Sequence, residues 1–506
     1  MRHYLRRLVT TGAAYQAADI VSKGIAVFTL PLYTRHVGTA GYGAANSLFT
    51  AVILVSIILR LGVGEAFVRF YYDDADPVRR ARLARTATAT VGWTTSVASV
   101  LVAVNAATVS RWLLGFSDPL LLDCAVVGLW AFTNLEMAYA QLRVDERART
   151  YLRASMSNVA LTVIFTVGLV VFANQGARGL LLGNFAASAI VVVAMWGWVL
   201  RGRVDWRIRR DLLDPMLRFG LPTVPADASV YALQVVDRFY LFRVISPSAA
   251  GLYAGAVQLA TVVFVAVRGF QYAWPPLAYS IDSDAEAARL YSLVTTYFVL
   301  GTGVVVAGVA LLGRWMVRLL LAPQFYGAYR ALPWLALGWS LYGLYLVLLV
   351  IAGRARVTSR NFPAAAAGLA ANVLLLVLLV PASGAGLGIA GAGIALCGAY
   401  VVILVVFHLL IRNLFTVDFE WRRLSLLVVI LGGVSVSGEL LLPTSGFVGL
   451  VTRIAWLALV PALLALTRFF PPEERQHVRA LAASARARLT RSPPDPPPPT
   501  DPPFEV

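Results

Sequence analysis

The sequence predicts an all-α integral membrane protein of about fourteen transmembrane helices. Two six-helix lobes, related as parallel repeats, are followed by two C-terminal helices. Three observations carry this prediction. Of 506 residues, 59% are hydrophobic and only 14% are charged, whereas soluble domains sit near one half and one quarter. The apolar residues fall in runs long enough to cross a hydrocarbon layer of ~30 Å, separated by short polar pieces. Arginines collect in alternate connections between those runs, the pattern that orients a polytopic protein in its membrane.

Taken in order, the first six runs cover residues 14–36, 45–68, 86–107, 119–140, 152–173 and 179–200. A polar linker, Arg201–Arg218, follows. The second six cover 219–243, 251–275, 290–312, 332–352, 364–381 and 389–411, and two more lie at 424–442 and 447–468. The expected units are therefore 1–200, the basic linker 201–218, 219–411, an added helix pair in 412–470, and a tail, 471–506. Ala40-Gly41-Tyr42-Gly43-Ala44 after the first run echoes Ala250-Gly251-Leu252-Tyr253-Ala254 after the seventh. Each half has an even number of spans, so both face the same way, as parallel repeats do. The tail is Arg- and Ala-rich and ends in the run Pro493–Pro503, a composition that cannot pack a core.

Connections after even-numbered spans are basic: Arg79, Arg80, Arg82 and Arg85; Arg143, Arg147, Arg149 and Arg153; Arg201 to Arg210; Arg354, Arg356 and Arg360; and Arg412, Arg422 and Arg423. That places both termini in the cytoplasm, with the chain crossing the cytoplasmic membrane many times. Arg314, Arg318 and Arg330 break the pattern on the outer side. The net charge of +17 thus serves membrane orientation, and no nucleic-acid partner is expected. Cys124 and Cys397 lie far apart inside apolar runs and read as small core residues. Met1 to Arg7 lead into the first span with no small-residue cleavage site, which reads as a first helix.

Ionisable groups within spans are costly and mark function. The first span holds Asp19 and Lys23, one helical turn apart; the second holds Arg60 and Glu65; the fourth holds Asn134 and Glu136; the seventh holds Asp227, Asp237 and Arg238; and the eighth holds Arg268 near Gln271. Lys23 and Arg60 from one half and Arg268 from the other are placed to converge on a cationic cavity suited to a pyrophosphate. The bland reading is that Asp19–Lys23 and Arg60–Glu65 are internal pairs, or that the arginines snorkel to the headgroups. The only lysine sits in Ser22-Lys23-Gly24, which is no phosphate-binding loop. The histidines are scattered, no Cys/His cluster has metal spacing, and no cofactor or metal is expected.

Lys23-Gly24 followed by Leu30-Pro31-Leu32-Tyr33-Thr34-Arg35 and Gly41-Tyr42-Gly43 resembles the opening of the oligosaccharide (polysaccharide-transport) flippases, within the multidrug/oligosaccharidyl-lipid/polysaccharide exporter superfamily. Leu61-Gly62-Val63-Gly64 with Arg69-Phe70-Tyr71 continues the likeness. Phe219-Gly220-Leu221-Pro222 with Asp237-Arg238 and Gly251-Leu252-Tyr253 is similar to the start of that family's second half. The resemblance covers about the first 420 residues. It implies a two-lobed bundle that carries polyprenyl-pyrophosphate-linked oligosaccharide to the outer leaflet by alternating access, a transporter and not an enzyme. It further implies substrate-binding roles for Lys23, Arg35, Arg60 and Arg268. Asp19, Glu65, Asp237 and Arg238 become candidates for coupling or gating. A polysaccharide polymerase or assembly proteins would be the partners. Two other functions compete. A small-molecule antiporter would favour carboxylates over cations in the spans. A membrane glycosyltransferase or polymerase would need a carboxylate-bearing outer loop, and the stretch Gly313–Arg330 has no Asp or Glu.

Overall fold

The computed structural model describes residues 21–73, 76–279, 281, 283–354 and 361–471. Asp19, Arg356, Arg360, both chain termini and the tail from residue 472 lie outside them. The described residues are helical, with no strand. The first helix, α1, covers residues 21–36. It is followed by α2 (Thr39–Leu59), α3 (Val63–Tyr71), α4 (Pro77–Val104), α5 (Ala106–Leu114), α6 (Pro119–Val144), α7 (Ala148–Phe172) and α8 (Gly176–Val199). The linker contains α9 (Arg210–Gly220). Next come α10 (Val224–Leu233), α11 (Val236–Val244), α12 (Pro247–Tyr279), α13 (Asp284–Leu320), α14 (Leu332–Arg354), α15 (Asn361–Leu379) and α16 (Gly388–Ile411). Finally, α17 (Trp421–Leu441) and α18 (Gly446–Leu466) close the described chain.

Twelve of these helices are long and apolar enough to cross a membrane. The expected first span is α1, and the expected seventh is split into α10 and α11 by a turn at Gln234–Val235. Helix starts follow local chemistry. Asp76 caps α4 by accepting from Val78 N at 3.0 Å and Arg79 N at 3.2 Å, with Pro77 in the first turn. Asp118 caps α6 in the same way, ahead of Pro119. Large apolar side chains that point outward, such as Phe172, Val429, Leu440 and Phe447, present the surface a hydrocarbon solvent requires.

The second span ends earlier than its hydropathy suggests. Leu61 (φ 52°) and Gly62 (φ 67°) take left-handed conformations, and the chain turns into the separate helix α3. Glu65 therefore stands in the first turn of α3 and not in the second span, a correction that stems from Leu61-Gly62 breaking the α-helical ladder.

Within α1–α8, α6 packs on α4, α2 and α8, and α7 packs on α8. Within α10–α16, α16 packs on α14 and α15, and α14 on α12 and α13. We refer to these sets as the first and second lobes. They meet chiefly where α2 crosses α12. The crossing is symmetric: a β-carbon on Gly43 would overlap the Pro247 carbonyl, and one on Gly251 would overlap the Thr39 carbonyl. Gly43 thus corresponds to Gly251 and Thr39 to Pro247. This register is two residues away from the match of Gly41 to Gly251 suggested by the sequence, because close approach selects the glycines on the touching faces. One continuous apolar core runs through the crossing. Another joins α13 to α17 and α18, so the last two helices are attached through α13.

Further contacts fasten the lobes near this crossing. Thr34 of α1 accepts from Ala322 N through its hydroxyl (3.1 Å) and from Gln324 Nε2 through its carbonyl (3.0 Å). Tyr42 meets Phe325 edge-on at 5.6 Å. At the opposite end, which carries the basic connections and is called here the basic end, Gly62 and Gly220 approach so closely that a β-carbon on either would overlap the other's carbonyl. There Asp145 accepts from Tyr71 Oη (2.5 Å) and Arg203 (2.6 Å), tying α3, the end of α6 and the linker together.

Candidate functional site

The single lysine and Arg268 come from opposite lobes and converge on one ring. Lys23 Nζ lies 4.5 Å from the centroid of Phe264, and Arg268 Cζ lies 4.9 Å from the same centroid. Phe264 sits one turn before Arg268 on α12, so helical spacing sets its ring beside the guanidinium. Its other neighbours are aromatic: Trp339 at 4.5 Å, and Tyr342 stacked at 6.5 Å. Tyr342 in turn contacts Tyr345 and Tyr400. Arg268 donates to Gln271 Oε1 at 3.2 Å, while its Nε is buried and has no hydrogen-bond partner. No carboxylate among the described residues forms an ion pair with it. A half-buried guanidinium held by an amide and a ring keeps most of its capacity for an anion. The ring's π-system attracts both cations, each such contact being worth ~0.5–2 kcal/mol.

Arg60 is placed elsewhere. It ends α2 and lines a cavity of about 290 Å³ with Glu65, Glu136 and Arg143. Its Nε is buried without a partner, and no ion pair forms with Glu65. Asp227 of α10 lies within electrostatic reach of both Arg60 and Glu65. The expected convergence of three cations thus divides into Lys23 with Arg268, and Arg60 within a mixed-charge group at the basic end. Arg35 is exposed at the end of α1 away from the basic end, and no contact joins it to either group.

The family model for polysaccharide biosynthesis proteins matches residues 9–281, more than half of the chain. The chain belongs to this family. A protein of the Lsg locus of Haemophilus influenzae is 22% identical over 271 residues, which cover 52% of this chain and 64% of that relative. The match thus spans less than two thirds of the relative's length. Among solved structures, a lipid II flippase, MurJ, in an inward closed conformation superposes with a TM-score of 0.71 at 12% identity, covering 91% of this chain and 99% of its own. A multidrug resistance MATE family transporter in an inward-facing conformation gives 0.62 at 14% identity, covering 80% of this chain and 96% of its own. A superfamily transporter from Pyrococcus furiosus gives 0.54 at 15%, covering 83% of this chain and 94% of its own. These likenesses establish the fold.

In this polysaccharide biosynthesis family member, the pair Asp237-Arg238 opens the second half of the broken seventh span. Asp237 is buried and accepts from the Tyr253 hydroxyl and from the backbone N of Arg238. Arg238 reaches across to α2 of the first lobe, donating to Asn46 Oδ1 at 3.3 Å and Thr50 Oγ1 at 3.2 Å. The helix break that frees Asp237 is the type of discontinuity on which transporter folds build their sites. Here it gives a carboxylate anchored in one lobe beside a cation that grips the other.

Sequence reasoning missed a charged group between the added helices. Arg453 of α18 is fully buried, pairing with Glu439 at 2.7 Å and donating to the Leu311 carbonyl at 3.0 Å. Glu439 also binds Arg314, one of the arginines that breaks the charge pattern. The signal was available: Glu439 and Arg453 are ionisable residues inside two consecutive apolar runs. The aromatic surround of Lys23 and Arg268 gave no such signal, since aromatic residues are common throughout the chain.

Proposed function

We propose that this protein translocates polyprenyl-pyrophosphate-linked oligosaccharide from the cytoplasmic to the outer leaflet by alternating access of its two lobes, for cell-surface polysaccharide synthesis. The observation that carries the reading is the convergence of Lys23 and Arg268, one from each lobe, on Phe264, with Arg268 bound to no carboxylate. A pyrophosphate is a compact multivalent anion, and fixed cations in a low-dielectric site bind it far more strongly than they would in water. Because each lobe supplies one cation, an anion that draws them together favours one arrangement of the lobes over another, as a transported substrate must. Family membership and the flippase-like fold support the same reading.

On this reading the basic end faces the cytoplasm. The crossing of α2 and α12 then closes the outer end, and Asp237 and Arg238 couple or gate the lobes. Arg60 and Glu65 form a cytoplasmic vestibule. Lipid-linked sugars and a polymerase or assembly apparatus are the partners. In a deletion strain, complete lipid-linked repeat units should accumulate, accessible only from the cytoplasmic leaflet. Unpolymerised units reaching the outer leaflet would indicate a polymerase or transferase instead. Unchanged lipid-linked sugars with altered drug sensitivity would indicate a small-molecule antiporter.

A further inference from the structure

A cavity of about 830 Å³ opens at the end of the first lobe away from the basic end, between α2, α6 and α8. It lies against the lobe crossing, because Pro247, whose carbonyl meets Gly43, lines it. Its polar lining comprises Asp118, Asp123, Asn174, Gln175 and Arg178, with the exposed ring of Phe116 at the rim. Asp118 and Arg178 are committed to each other at 3.0 Å, and Asp118 also caps α6. Asp123 lies within the first two turns of an apolar span and has no hydrogen bond or ion pair among the described residues. A partly buried carboxylate in the lining with no partner keeps both oxygens available to accept from a ligand's hydroxyls.

We propose that this cavity is a carbohydrate site, selective for neutral and N-acetylated sugar units. Asp123 accepts from a pair of neighbouring hydroxyls, Asn174 and Gln175 supply both donors and acceptors, and Phe116 offers an apolar surface to a pyranose face. Among the described lining residues the one cation, Arg178, is already paired, so the site repels phosphate and uronic acids. Its size lies within the range of small-molecule pockets and accommodates a short oligosaccharide. This inference rests on the proposed flippase reading for the source of the sugar: the glycan headgroup emerges at this end, and the site holds it as the lobes close behind it.

Cys124 lines the same cavity, whereas Cys397 is buried, so a native thiol reports occupancy. The experiment uses the full chain in lipid nanodiscs, carrying Cys397→Ser, and follows labelling of Cys124 by N-ethylmaleimide. The competitors are N,N′-diacetylchitobiose, digalacturonate and tetraethylammonium. Diacetylchitobiose at about twice its dissociation constant should slow labelling about three-fold, and digalacturonate should not. Asp123→Asn keeps an acceptor and should retain protection. Asp123→Leu should lose it while labelling at the unliganded rate, which verifies that the cavity still forms. Protection by tetraethylammonium alone, lost in Asp123→Asn, would make this a cation site and overturn the proposal. Unchanged labelling with every competitor would also overturn it. Transport of lipid-linked sugar in vesicles is scored separately. Sugar protection without transport removes the flippase reading and leaves the site, and transport without protection removes the site alone.

Discussion

Arg268 shows how much one side chain can carry. Its head group rests on Phe264 and binds Gln271, and its buried Nε is left without a partner. Leaving an arginine this way inside a membrane costs ~2.5–3.5 kcal/mol on insertion scales, a cost that the proposed substrate anion would offset. Arg268→Ala should reduce transport of lipid-linked sugar at least about ten-fold with normal insertion, while Arg268→Lys should retain part of it, since a point charge replaces the planar fork. The test is accumulation of lipid-linked units in complemented deletion cells; full activity of the alanine variant would remove Arg268 from the substrate site. Lys23 and Arg268 were legible in the sequence because charges inside apolar runs stand out. Phe264, which both cations contact, and Trp339 and Tyr342, which pack on its ring, were not, because an aromatic residue in a membrane helix has the same composition whether it faces lipid or a cation.

Helices are governed here by where the backbone breaks or meets another backbone. The span boundaries were largely readable from hydropathy, but the end of α2 was not: Leu61 is apolar, yet its left-handed conformation turns Glu65 out of the span. Register between the halves was also misread by two residues. Sequence similarity among small residues cannot tell which glycine touches, whereas the crossing requires Gly43 and Gly251. Gly43→Ala should weaken that crossing, because its new methyl group meets backbone on α12, which cannot rotate away as a side chain would. The expected result is a lower melting temperature together with faster labelling of engineered cysteines at the crossing; unchanged values for both would show that the helices part easily. At the basic end, Asp145→Ala leaves Arg203 and Tyr71 without their shared acceptor. A loss of about 1–3 kcal/mol is expected there, measured as a shift in the unfolding midpoint in detergent.

For the whole molecule, the all-helical membrane architecture was legible in hydrophobic run length, and twelve helices among the described residues are long and apolar enough to span. The contacts that seal the lobes depend on tertiary approach and left little trace in the chain. One of those contacts provides a direct test of lobe motion. Thr34→Cys with Ala322→Cys, placed where hydroxyl and backbone N are 3.1 Å apart, should cross-link on oxidation. Transport should then stop and return on reduction; undiminished transport in the cross-linked protein would show that the lobes never separate at this point. The glycine crossing also sets the scale of any such motion. Where two helices meet backbone to backbone at Gly43 and Gly251, with no side chain between them, the contact can act as a pivot. From Gly43 to Leu59, α2 extends roughly 24 Å beyond it, so a tilt of about 15° carries the basic end of α2 through roughly 6 Å. A contact the width of two backbones is thereby geared to an opening the width of a sugar ring.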